Sequence, residues 1–219
     1  MRASMAANSN ASPSCHAEQW ANPTGLAGMA ALTAMALTNG RQNKAALDAL
    51  DVKAGDVVLE IGCGPGMGLR RARDLVGRTG FVAGVDRSGC AVHTAAHAVH
   101  RSILRGRAAV MHAEAHDLPF RDLMFDKAFA VNSYQFWPDP ARAVREIARV
   151  LAPRGRFVIT QRAEREGGRT DFPGAAGGME RITRAVALLK SQGWNIIDEH
   201  CVPDGARLLA VSVTALRPD

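Results

Sequence analysis

Lysine is scarce in this chain, cysteine is scattered, and no apolar run is long. Of 27 basic residues only Lys44, Lys53, Lys127 and Lys190 are lysine, so arginine supplies the rest and is spread along most of the sequence. The net charge of +6 would suit a phosphate-rich partner. But Arg70, Arg71, Arg73 and Arg101, Arg105, Arg107 fall on expected helices or their ends, where a solvated face accounts for them. Nucleic acid is therefore not the expected partner. The cysteines, Cys15, Cys63, Cys90 and Cys201, form no C-x-x-C pair and read as reduced thiols of a cytoplasmic protein. The most apolar early stretch, Met29 to Leu37, is about half of what a bilayer span needs, so no membrane insertion is expected. Residues 1–16 are rich in Ala, Ser and Asn, lack the apolar segment of a secretory signal, and read as a disordered tail. With 47% hydrophobic residues and no internal repeat, residues 17–219 are expected to form one domain with a helical cap over about 18–50.

What the chain does have is one glycine-rich turn. Val57-Val-Leu-Glu-Ile-Gly-Cys-Gly-Pro-Gly-Met-Gly68 joins an apolar strand to a helix, with the carboxylate of Glu60 just ahead of the first glycine. Glycines let a ligand approach the backbone, and the following helix points its amides at it. Phosphate is the usual guest of such a turn, but a pyrophosphate beside Glu60 would meet like charge in a partly desolvated place. A ligand with a cationic end fits better. The spacing also departs from the dinucleotide pattern G-x-G-x-x-G, because Met67 stands where the third glycine belongs.

From Gly55 onward strand and helix patterns alternate, which predicts an α/β parallel sheet covered on both faces. Strands are expected at Val57 to Ile61, Phe81 to Val85, Ala108 to Met111, Asp126 to Val131 and Arg156 to Thr160, with two more near Trp194 to Glu199 and Arg207 to Thr214. Helices are expected at Leu69 to Val76, Ser88 to about Leu104, Asp139 to Leu151 and Met179 to Gln192, and ahead of the sheet over Glu18 to Leu50 with a break at Asn39-Gly40. Pro203-Asp204-Gly205 reads as a turn, so one closing strand should run antiparallel. The polar, glycine-rich stretch 164–178 reads as a surface loop.

Val58-Leu-Glu-Ile-Gly-Cys-Gly-Pro-Gly66 resembles the first motif of the class I S-adenosylmethionine-dependent methyltransferases. That resemblance implies a Rossmann-like, doubly wound, seven-stranded sheet, mostly parallel with one antiparallel strand near the C-terminus. Its cofactor, S-adenosyl-L-methionine, carries an ammonium and a sulfonium and no phosphate. Glu60, Gly62, Cys63, Gly64 and Gly66 are then cofactor-binding candidates in the turn, and Asp86 with Arg87 at the end of the second strand. Asp86 is placed to accept the two ribose hydroxyls, although a nicotinamide enzyme would place an acid there too. Glu114-Ala-His-Asp-Leu-Pro-Phe120 resembles the segment after the third strand, which puts Glu114 on the adenine amino group and the Ala115 amide on a ring nitrogen. The family's usual acid there is aspartate. Val131-Asn-Ser-Tyr-Gln-Phe-Trp-Pro-Asp-Pro140, followed by Val150-Leu-Ala-Pro-Arg-Gly155, resembles the stretch after the fourth strand, and Asn132 would lend its carbonyl to the cofactor ammonium. Asn132-Ser133-Tyr134-Gln135 lacks the paired prolines of enzymes that methylate base amino groups. Pro23, Gly25, Gly28, Asn39 and Asn43 resemble the helical cap of small-molecule methyltransferases of the quinone-biosynthesis type.

The implied reaction is in-line displacement of the methyl group onto a small-molecule acceptor. Tyr134 and Trp137 are candidates to line the acceptor pocket, and His16, His116 and Tyr134 lie in segments from which a base could reach it. No residue stands out as catalytic. His93, His97 and His100 recur at helical spacing, but no acidic partner accompanies them and no metal is expected. The competing readings are a nicotinamide-dependent oxidoreductase, weakened by Glu60 and Met67, and a non-catalytic cofactor- or RNA-binding protein.

Overall fold

The computed structural model describes residues 19–163, 177–204 and 207–218. Ahead of the sheet lie α1 (Gly25–Thr38) and α2 (Gly40–Leu50). There follow β1 (Val57–Ile61), α3 (Met67–Val76), β2 (Phe81–Asp86), α4 (Gly89–Ala98), α5 (His100–Ile103), β3 (Ala108–His112), β4 (Phe125–Val131), α6 (Pro140–Val150), β5 (Leu151–Arg162), α7 (Gly178–Ser191), β6 (Asn195–Asp204) and β7 (Arg207–Leu216). The strands form one seven-stranded sheet in the order β3-β2-β1-β4-β5-β7-β6. β1 pairs parallel with β2 and β4, and β4 with β5, while β7 runs antiparallel to both β5 and β6. The mostly parallel α/β sheet with one reversed strand is the architecture expected from the sequence.

Alternation along the strands divides the core between two faces. Val58, Val82, Phe129 and Val158 face α2 and α3, packing on Leu47, Leu50, Leu69 and Val76. Their neighbours Leu59, Ala83, Ala128, Phe157 and Ile159 face the other way, against Val144, Ile147 and Val150 of α6 and Ile182 and Leu189 of α7. Both faces are apolar, so the strands read as near-continuous hydrophobic runs, as buried parallel strands do. Phe125, Phe129 and Phe157 are fully buried, and truncating any of them to alanine would cost about 3 to 5 kcal/mol.

Caps set the helix starts. Asp139 accepts the Arg142 amide at 2.9 Å with Pro140 at the first helical position, and Ser88 accepts the Ala91 amide at 3.2 Å. The helix expected from Ser88 to Leu104 is divided at Val99, which leaves helical geometry at φ −115° and separates α4 from α5. β5 begins earlier than expected, at Leu151, which pairs with Phe125 across a register shift. Pro153 and Gly155 therefore lie inside the strand, and Arg154 takes the left-handed turn there at φ 60°. The break at Asn39 falls where expected, and a second, at residues 22–24, surrounds Pro23. Residues 1–16, the stretch 164–176 and Gly205 lie outside the described residues.

Candidate functional site

The carboxyl ends of β1, β2, β4 and β5 open onto one cleft with about 1170 Å³ of empty space, roofed by Met35, Asn39 and Asn43 of the cap helices. In open α/β sheets that is where ligands lie. Glu60, Gly62, Cys63, Gly64, Asp86, Arg87, Glu114, Ala115 and Asn132 all line it. Gly66 stands behind them at the start of α3 with φ 80°, its Cα so close to α4 that a side chain there would meet Ala95 Cα at 2.8 Å. Gly62, at φ 74°, is packed against Ser133, and a Cβ added at Gly64, at φ 49°, would meet only Met35 Sδ, at 3.8 Å.

Asp86 is held in place before any ligand arrives. Its Oδ2 accepts the Gly64 amide at 2.8 Å and its Oδ1 the Ser88 amide at 2.9 Å, which ties the glycine turn to the start of α4. Ser88 in turn donates to the Pro23 carbonyl at 2.7 Å, so the cap is docked on the same corner. Glu60 is 3% exposed. One carboxylate oxygen lies against Gly68, where any side chain would collide with it, and the Leu69 amide bonds the group. Its Oε2 is buried with no hydrogen-bond partner.

Burial, opposed by the Leu69 amide and reinforced by the charge of Asp86, pushes the Glu60 carboxyl well above the usual carboxylate range. Burial also raises Asp86, against the pull of the Ser88 and Gly64 amides. The Cys63 thiol is raised by burial and then by both carboxylates, which makes it an uncharged packing group under the turn. A cationic group seated against these two carboxyls would draw them back toward the charged form, whereas a phosphate would push them further up.

The wall beyond β2 and β3 is fixed from behind. Arg149 of α6 donates to the carbonyls of Leu118 and Phe120 at 2.9 and 2.8 Å and pairs with Glu146 at 2.7 Å, while Glu146 accepts the Leu118 amide at 3.0 Å. That staple holds the Leu118-Pro119-Phe120 run and with it Glu114 and Ala115. Glu114 meets the Arg87 guanidinium at 3.4 Å, and Arg87 donates to the Phe136 carbonyl at 3.3 Å, so the longer acid reaches a partner across the wall.

At the end of β4, Asn132 adopts φ 52°. Its side chain accepts the Arg162 amide at 2.7 Å and donates to Asn39 Oδ1 at 3.3 Å; its carbonyl accepts Gln135 Nε2 at 2.8 Å. Arg162 also donates to Asn39 Oδ1 at 3.0 Å. The break between α1 and α2 is thereby pinned to the ends of β4 and β5.

Trp137 lines the cleft, but Tyr134 does not: it is buried in the core, ring edge against Trp137 with centroids 5.3 Å apart. Of the two rings expected at the acceptor pocket, Trp137 stands on the cleft wall and Tyr134 in the core. The physical reason is that the tight turn Tyr134–Phe136 directs one ring into the sheet-helix interface. His116 is likewise absent from the cleft lining, with its Nδ1 buried and unpartnered, and His16 lies outside the described residues. His93, His97 and His100 are exposed, and among the described residues no group of His, Cys, Asp and Glu is placed to hold a metal. Sequence reasoning missed Ser133, Gln161 and Arg162 as cleft residues. The last two sit one and two positions past the expected end of β5, where the strand-end rule would have found them had the strand been drawn longer.

Residues 59–159 match the family model described as a methyltransferase domain. In this match and in its fold the chain is similar to the class I S-adenosylmethionine-dependent methyltransferases. Methyltransferase GfsG of Streptomyces halstedii is 33% identical over 145 residues, 66% of this chain and 49% of that protein. A 2-phytyl-1,4-naphtoquinone methyltransferase of Nostoc sp. is 36% identical over 108 residues, 49% of this chain and 47% of its own length. The chain thus spans about half the length of these curated relatives. A SAM-dependent methyltransferase from Aquifex aeolicus shares the fold at TM-score 0.69 and 21% identity, over 84% of this chain and 92% of that one. Among the described residues no helix is long and apolar enough to cross a membrane.

The cleft fits the family's cofactor, S-adenosyl-L-methionine, on its own geometry. An orphaned buried carboxylate oxygen on Glu60 suits a cationic end, the Asp86 oxygens each keep a lone pair for a hydroxyl, and the glycine turn leaves room for close approach.

Proposed function

We propose that this chain is a cytoplasmic methyltransferase that moves the methyl group of S-adenosyl-L-methionine to a small-molecule acceptor. The observation that carries the reading is the pair of buried carboxylates, Glu60 and Asp86, at the glycine turn. A dinucleotide would bring its own negative charge against them, which is what disfavours the oxidoreductase reading.

When bound, the cofactor supplies an electrophilic methyl group on a cationic sulfur. The chain's residues hold and orient it. Glu60 Oε2 and the Asn132 carbonyl take the ammonium, Asp86 accepts the ribose hydroxyls, and Glu114 and the Ala115 amide meet the adenine. Gly62, Cys63, Gly64 and Arg87 complete the cradle. The cap over about 18–50 closes it through Asn39 and Pro23 and keeps water from the reacting atoms. Holding the incoming atom about 3 Å from the methyl carbon and in line with the departing sulfur supplies most of the rate.

The acceptor is a neutral organic molecule of the kind handled in quinone and related biosynthesis, in line with the named acceptor of the Nostoc relative. Nucleic acid is not the partner, because the arginines are dispersed. Calorimetry tests the reading: micromolar binding of S-adenosylhomocysteine without binding of NADH is expected. The reverse result removes the proposal, and RNA affinity with a steep salt dependence would replace its acceptor class.

A further inference from the structure

Helix α1 is apolar on both of its sides. Gly28, Ala31 and Leu32 are buried, and Met35 helps to roof the cleft. At about 100° per residue, Leu26, Met29, Ala30, Thr33 and Leu37 fall along the opposite side, and all of them are exposed. Leu26 at 86% and Leu37 at 80% are the most exposed large apolar side chains among the described residues. A helix facing water normally turns charged side chains outward. This one has none, nor does any residue from Gln19 to Gly40.

The hydroxyls of the helix are closed on the helix itself. Thr33 donates to the Met29 carbonyl at 2.9 Å and Thr38 to the Ala34 carbonyl at 2.8 Å, so the stripe can enter an apolar medium without orphaning a donor. Fourteen residues are too few to span a bilayer, and an apolar segment of that length is suited to lie in its interface.

Positive charge gathers at one end of the stripe. The exposed Arg71 of α3 donates to the Gly40 carbonyl at 3.2 Å and Arg162 donates to the Thr38 carbonyl at 3.4 Å, which sets two guanidiniums at the C-terminal end of α1, next to Leu37. Lys44 is paired with Asp48 at 2.6 Å and adds no net charge. From Gln19 to Leu47 the cap carries no acidic residue.

We infer that α1 is a peripheral docking surface for an anionic lipid bilayer, with Leu26, Met29 and Leu37 set among the acyl chains and Arg71 at the headgroup phosphates. An apolar stripe that ends in arginine and offers no acid complements a surface that is apolar beneath and negative above. A second copy of the chain would bring its own arginines and no acid from its cap to meet them. Residues 1–18 offer only Met1 and Met5 as large apolar side chains to cover the stripe. The docked helix is also the roof of the cleft, so the bilayer meets the protein at the cover of the site.

The test sediments the full chain, without cofactor, with vesicles of phosphatidylcholine and phosphatidylglycerol in equal parts and with vesicles of phosphatidylcholine alone. Wild type should bind the mixed vesicles about tenfold or more tighter than the neutral ones, and less tightly as salt rises from about 0.1 to 0.5 M. The double variant Leu26→Gln, Leu37→Gln should bind them about tenfold or more weaker, and Arg71→Gln about three- to fivefold weaker. Thr33→Leu should bind about threefold tighter, a gain that a folding defect with a lowered Tm does not imitate. The leucine and threonine sites are exposed, so these variants should melt within about 2 °C of wild type and bind S-adenosylhomocysteine within twofold. Wild type that binds neither vesicle, or a double variant that binds like wild type, overturns the assignment. Equal binding to both vesicles overturns the anionic partner. Light scattering that finds a wild-type dimer and a monomeric double variant gives the stripe to a second copy, and overturns it too. Vesicle binding is read with no cofactor present, so its failure is told apart from a failure to bind S-adenosylhomocysteine, which defeats the methyltransferase reading alone.

Discussion

The two halves of the cleft are built on opposite principles. On the β1–β3 side nearly every polar group is tied to the backbone: Asp86 to Gly64 and Ser88, Glu60 to Leu69, the 118–120 segment to Arg149. On the β4–β5 side the side-chain amides of Gln135 and Gln161 each keep one end unpaired, while Asn132 and Arg162 are spent on pinning the cap. A half whose open group is a single buried carboxylate oxygen, Glu60 Oε2, suits one constant molecule with a cationic end. A half with groups left open discriminates among variable ones, because the wrong guest leaves a buried amide unsatisfied.

The sharpest way to break this contrast is Asp86→Ala. It removes the acceptor of two backbone amides and orphans both, so stability should fall by about 2 to 3 kcal/mol and S-adenosylhomocysteine affinity by a further 1 to 3 kcal/mol. Denaturant unfolding and calorimetry measure the two separately. Unchanged affinity in a folded variant would show that the ribose is bound elsewhere and that the first half is only structural.

Glu60→Gln should move the two quantities in opposite directions. Because the native Glu60 carboxyl is raised above its ordinary 4.5, the folded chain holds a proton that the unfolded chain has released. Stability therefore falls as pH rises from about 4.5 up through the raised native value. The glutamine variant lacks that loss, so thermal melts at pH 7 to 8 should show it more stable than wild type, while S-adenosylhomocysteine binds about 10- to 100-fold more weakly. A variant that is less stable and binds equally well would make Glu60 a helix-start cap with no ligand role.

The first half was legible in the sequence because its chemistry lies at strand ends that hydrophobic runs and glycines mark: Ile61 before Gly62, Val85 before Asp86. Local pattern fixes those ends within a residue or so. What the glycines do was less legible. Gly68 was the last of four alternating glycines by count, but its role is to leave room for the Glu60 carboxylate, a contact between a strand and the helix that follows it. Gln161 and Arg162 escaped because their polar side chains end the apolar run at Thr160, whereas β7 pairs with β5 as far as Arg162. Tertiary pairing extended the strand past its local pattern. The direction of a ring in the turn after β4 has no periodic signal at all, which is why Tyr134 and Trp137 looked alike in the sequence.

Loosening the roof tests the boundary between the halves. Asn39→Ala removes the acceptor shared by Asn132 and Arg162, so the cap should open more readily. S-adenosylhomocysteine should dissociate about three- to tenfold faster in stopped-flow chase, at an association rate changed less than twofold. An unchanged dissociation rate would show that the cap is held by the Pro23 and Ser88 corner alone.

Tyr134→Phe should do the least. The ring is buried against Trp137, and burial raises its hydroxyl above the ordinary phenol value against the weaker pull of Arg184. A phenol held protonated and turned away from the cleft is a packing group, and phenylalanine keeps the ring and its edge contact. Stability within about 0.5 kcal/mol of wild type is expected, with labelled methyl transfer into a cell extract changed less than twofold. A tenfold loss of transfer at unchanged S-adenosylhomocysteine affinity would place that hydroxyl on the acceptor, and the turn after β4 would have to swing its ring into the cleft when substrate binds.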